Sequence, residues 1–114
     1  MKLCFLGIGL IVLFWSCGEA DEPLSNKKIL VIGNSITIHP PDASIGWNAN
    51  WGMAASDPDH DYFSLLKSAL QNHTSDLTMI RKNVYPFERG FETVDFNQYA
   101  YLKEFEANII IIRL

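Results

Sequence analysis

Residues 28–37 read KILVIGNSIT, and the fold turns on this stretch. Ile29 to Gly33 is a short apolar run with no alternation, the pattern of a strand buried on both faces of a parallel sheet. The run stops at Gly33-Asn34-Ser35, which brings together a glycine for close backbone approach, an Asx side chain that bonds its own backbone, and a hydroxyl. These residues sit at the carboxyl end of the strand, where open α/β sheets bind ligands.

The clearest helix lies further on. Tyr62, Leu65, Leu66, Ala69 and Leu70 recur at helical spacing and give one apolar stripe, with Ser56, Asp57 and Pro58 as an N-terminal turn and Asn72 as a stop. Between strand and helix, residues 39–57 form a long loop rich in Gly, Asn, Ala, Ser and Pro. It carries Trp47 and Trp51, and those aromatics favour order. Pro40-Pro41 prevents a regular helix from following the first strand directly. Residues 77–84 read as a second strand and residues 85–90 as the loop leaving it. Val94, Tyr99, Leu102 and Phe105 fit a less regular helical stripe, and residues 108–114 form a third apolar strand. The order β, loop, α, β, α, β implies right-handed crossovers and a parallel, flavodoxin-like α/β arrangement.

The chain has 114 residues, a net charge of −4 and 48% hydrophobic residues, which suits one globular domain with an added apolar segment. That segment opens the sequence. Met1-Lys2, an apolar run from Leu3 to Trp15, and Ser16-Cys17-Gly18 read as an export signal too short to span a membrane comfortably. Phe14-Trp15-Ser16-Cys17 resembles a loose bacterial lipobox, which implies a lipid anchor on Cys17 and a place in the cell envelope, in the periplasm or at the outer membrane; a plain secretory signal and an uncleaved anchor are the alternatives. Cys4 lies inside the signal, so a processed chain would hold Cys17 alone and no disulfide framework. Three segments result: a signal at 1–17, a flexible tether at 18–27, and a folded part at 28–114.

GNSIT, at residues 33–37, resembles the first sequence block of the SGNH hydrolases, also called the GDSL family. The resemblance implies a three-layer α/β/α, flavodoxin-like fold with a parallel sheet, incomplete in this chain, and makes Ser35 the acyl-transfer nucleophile. The family's usual aspartate before that serine is Asn34 here. GWNANWGMAAS, residues 46–56, resembles the second block, whose glycine lends a backbone N–H to the oxyanion hole; Gly52 matches it. The implied oxyanion donors are therefore the N–H groups of Ser35 and Gly52. The family's third donor is an asparagine after the third strand, and its base is the histidine of an Asp-x-x-His block near the C-terminus. Neither block is in this sequence, so the chain reads as the N-terminal part of a longer hydrolase, inactive alone.

The implied function is a serine esterase or acyl hydrolase acting on ester-linked acyl groups, such as the acetyl groups of carbohydrates, through an acyl-enzyme. Its expected partners are an ester substrate and, through the anchor, a membrane. The competing expectation is a non-catalytic, lipid-anchored module that holds carbohydrate on Trp47 and Trp51.

Asp57-Pro58-Asp59-His60 has the spacing of the missing base block, but in the wrong chain order, and it suits a helix start. His39 and His73 lack partners at metal-ligand spacing, and no zinc, haem or iron–sulfur pattern is present, so no metal or cofactor is expected. The absence of both a Gly-Lys-Ser/Thr run and GxGxxG opening a helix argues against a nucleotide site. Negative charge without a basic cluster argues against nucleic acid.

Overall fold

The computed structural model describes residues 26–114, so the signal and the lipobox-like Cys17 lie outside the described residues, as does most of the tether. Three strands form one parallel sheet in the order β2-β1-β3: β1 at Lys28–Gly33, β2 at Thr78–Asn83 and β3 at Ile109–Arg113. The first strand is thus the central one. Ile29 stands opposite Met79 on one side and Ile109 on the other, and Gly33 stands opposite Asn83 and Arg113. This is an α/β architecture with a small parallel sheet, in agreement with part of a flavodoxin-like fold.

The pleat sends alternate residues of β1 to opposite faces. Ile29 and Val31 join Leu77 and Met79 in a core closed by Phe63 of helix α1, Tyr62–Gln71, with Tyr62, Leu66, Leu70 and Ile111 packed around it. Tyr62, Leu66 and Leu70 of the expected stripe thus cover one face of the sheet together with Phe63, whereas Leu65 and Ala69 are exposed. Its first residue is preceded by Asp61, whose side chain accepts from Ser64 N–H and caps the helix; the cap is not in the Ser56-Asp57-Pro58 turn. On the opposite face, Ile32, Val84 and Ile112 line an apolar cavity of about 300 Å³ with Phe87, Phe96 and Tyr99.

Two segments differ from the sequence reading. Residues expected as a loop after β2 form a short helix α2, Tyr85–Gly90. Pro86 lies in its first turn, where the missing N–H would have had no intrahelical partner. The second stripe forms a 3-10 helix, Phe96–Phe105, instead of an α-helix. Phe96, Tyr99, Leu102 and Phe105 recur every third residue, which aligns them along a helix of three residues per turn.

The loop after β1 is ordered by its own backbone. His39 pairs with Trp51 and Asp42 with Trp47 in antiparallel bridges, with a single 3-10 turn at Ala43–Ile45 between them. Gly46 ends that turn at φ 71°, in the left-handed region that favours glycine.

Candidate active site

Ser35 lies in a tight turn directly after the central strand. Asn34 builds the turn: its carbonyl accepts from Thr37 N–H at 2.9 Å, and its side-chain Oδ1 accepts from Ile36 N–H at 3.0 Å. Gly33 is required beneath it, because a Cβ there would overlap Thr37 Oγ1 and the Arg113 carbonyl oxygen. The fully buried Thr37 is tied through Oγ1 to the Tyr62 hydroxyl at 2.7 Å, which locks the turn to α1. From the other side, Val84 N–H donates to the Gly33 carbonyl at 2.7 Å and Asn83 Nδ2 donates to the Ile38 carbonyl at 2.8 Å.

The serine itself is only partly buried. Among the described residues neither its hydroxyl nor its N–H has a hydrogen-bond partner; only its carbonyl is engaged, accepting from Met53 N–H at 3.0 Å. One unpaired hydroxyl and one unpaired N–H therefore share a residue at the carboxyl end of the central strand.

Gly52 is brought next to this turn, where its N–H donates to Asp61 Oδ2 at 3.1 Å. The residue is glycine for a steric reason, since a Cβ would overlap the Ile36 carbonyl oxygen. The group that claims Gly52 was not singled out in the sequence. Asp61, only 1% exposed, also caps α1 and forms an ion pair with Arg81 Nη1, which in turn donates to the Thr37 carbonyl at 3.1 Å. Burial pushes the Asp61 carboxyl up, but the bonds from Arg81, Ser64 N–H and Gly52 N–H outweigh it and hold the pKa below 3.8. The ionised carboxylate thus joins α1, β2, the Gly52 loop and the turn that carries Ser35. The available signal was positional: an aspartate directly before the first apolar residue of a helix stripe.

Asn34, the departure from the usual aspartate, donates through Nδ2 to Glu88 Oε1 of α2 at 3.0 Å. An aspartate could not make that bond, and its charge would face another carboxylate.

His60 and Asp57 do form a pair, with Nδ1 donating to Oδ1 at 2.7 Å. The pair is exposed; hydrogen bonding to the Asp57 carboxylate raises the His60 pKa above 6.5, and the same bond lowers that of Asp57. His60 shares a cavity of about 220 Å³ with Ile36 and Gly52 but has no hydrogen bond to Ser35. Trp47 and Trp51 meet edge to face, with centroids 5.8 Å apart. Their indole N–H groups donate to the carbonyls of His39 at 3.2 Å and Ala55 at 3.1 Å, so both rings tie the loop together.

Among the described residues no cluster of His, Cys, Asp and Glu could hold a metal ion, and no helix is long and apolar enough to cross a membrane. No family model matches the chain, and neither a curated protein nor a solved structure matches it.

Proposed function

We propose that this chain carries the nucleophile of an SGNH-type serine hydrolase that cleaves ester-linked acyl groups, such as the acetyl groups of carbohydrates. The observation that carries the reading is Ser35: an unpaired Oγ and an unpaired N–H on one residue, held by a rigid turn at the carboxyl end of the central strand. The resemblance of residues 33–37 to the first block of the family supplies the chemistry.

In this reading Ser35 Oγ attacks the ester carbonyl while a base takes its proton, and the oxyanion is met by the Ser35 N–H. The alcohol then leaves with a proton returned by the base, and water releases the acid from the acyl-enzyme. Residues 61–114 carry no Asp-x-x-His block, so the proposal is for a protein that supplies this base together with the remaining oxyanion donors. Export, and anchoring through Cys17 in the cell envelope, complete the proposal on the strength of the first 17 residues.

The carbohydrate-binding alternative loses support from the tryptophans. Rings stacked edge to face and bonded to the loop through their N–H groups do not form a flat platform for a sugar. The test is labelling of the protein isolated from its source with a fluorophosphonate, followed by peptide mapping. Modification at Ser35, lost in Ser35→Ala, is the expected result. Absence of modification in a protein that hydrolyses acyl esters would refute the assignment of Ser35.

A further inference from the structure

A cavity of about 930 Å³ lies beside the nucleophile turn, walled by the end of β2, the loop that begins at Ile38, and α2. It shares structure with the turn without including Ser35: Asn83, in its wall, stands opposite Gly33 and bonds the Ile38 carbonyl. The protein is acidic overall, yet three of its nine Lys and Arg residues, Arg81, Lys82 and Arg89, line this one space. Arg81 is already neutralised by Asp61.

Lys82 and Arg89 are not neutralised. Among the described residues neither has a carboxylate within ion-pair distance; Lys82 Nζ lies 5.5 Å from the ring centre of Tyr101, and the Arg89 guanidinium 5.4 Å from that of Tyr85. Stacking on a tyrosine face orients each cation without cancelling its charge. One acidic residue, Asp42, lines the same cavity, held ionised by hydrogen bonds from the hydroxyl and N–H of Ser44. His39 is committed through Nδ1 to the Pro40 carbonyl at 2.6 Å. Two cations facing one carboxylate leave net positive charge in the cavity, which favours an anionic ligand over a neutral one.

We infer that this cavity is an anion subsite, and that the substrate is an acyl ester bearing a carboxylate, held by Lys82 and Arg89 while its ester lies at Ser35. The inference rests on the hydrolase reading of Ser35, and its test is by binding, which does not require turnover.

The test is titration calorimetry of the full-length protein with digalacturonate and with the neutral digalactoside, at low and high salt. The acidic disaccharide should bind about tenfold tighter or more at low salt, with the preference shrinking at high salt. The double variant Lys82→Gln, Arg89→Gln, shown to be folded by circular dichroism, should bind the two sugars equally; Lys82→Arg with Arg89→Lys should restore the preference. Equal affinity of the unmodified protein for both sugars, or failure to bind digalacturonate, would overturn the subsite, as would a preference that the double variant retains. Fluorophosphonate labelling of Ser35 separates the two ideas: labelling without acidic preference removes the subsite and keeps the hydrolase, and acidic preference in an esterase unlabelled at Ser35 does the reverse.

Discussion

Replacing Asp61 by alanine removes the carboxylate and leaves three partners without their acceptor. Ser64 N–H loses the helix cap, the N–H of the buried Gly52 loses its bond, and Arg81, with a side chain only 16% exposed, loses its counter-charge. A lost cap costs about 1 kcal/mol. An unpaired buried cation costs about 3–5 kcal/mol and dominates; since all three interactions end on one carboxylate, the total should stay near about 3–5 kcal/mol. Small domains hold roughly 5–15 kcal/mol in all, so the variant should be folded only marginally. In urea, with a slope of roughly 1 kcal/mol per molar, the midpoint should fall by about 3–5 M.

Two companions sharpen the test. Asp61→Asn keeps the shape but turns an NH2 group toward one of the three donors, and should lose about 2 kcal/mol. Asp61→Leu with Arg81→Met removes both charges and should be less damaged than Asp61→Ala. The pH dependence follows from the sign of the shift. The folded carboxyl titrates below 3.8, so its contribution is fully present above that value and is lost as the pH falls through the folded pKa; Asp61→Asn should lack that part of the acid slope. A loss below about 1 kcal/mol for Asp61→Ala would refute the claim that this carboxylate holds the site together.

Two further outcomes are expected. Gly52→Ala, whose Cβ would overlap the Ile36 carbonyl oxygen, should cost about 1–3 kcal/mol in a thermal melt; an unchanged midpoint would show that the loop has room to give. By NMR, the His60 ring should titrate above 6.5 in the parent protein and return toward that value in Asp57→Asn; its interaction with Asp57 is present at low pH and lost as the pH rises through the folded pKa, so a titration unmoved by the substitution would rule out the pair in solution.

Local chemistry was legible where one element sufficed to fix it. The apolar run of β1, the extent of α1 and its stop at Asn72 all follow from spacing within one segment; the stripe of α1 was legible only in part, since Leu65 and Ala69 are exposed and Phe63, outside it, enters the core. The 3-10 helix was legible in principle, through the strict three-residue spacing from Phe96 to Phe105, but Val94 blurs that period toward the α-helical one. α2 was hidden by Pro86, a helix breaker everywhere except in a first turn. The partner of the Gly52 N–H was hidden for a different reason. Where an N–H points depends on which acceptor reaches it, and the acceptor, Asp61, is fixed by a charge partner 20 residues further on in another strand. Pairings of that kind leave no periodicity in a sequence.

The central position of β1 also sets an order in time. β1 is the first element of the described fold to be synthesised, yet its two neighbours are registered to it from 50 and 80 residues later, Met79 and Ile109 against Ile29. At about 5–20 residues per second, an interval of 80 residues lasts roughly 4–16 s, during which one edge of the central strand goes unpaired. Ser35 is thus among the first residues of the fold to emerge and among the last to be fixed, because Arg113 closes the space under Gly33 only when β3 has docked. The turn that carries Ser35 thus reaches its full packing only once β3 is available.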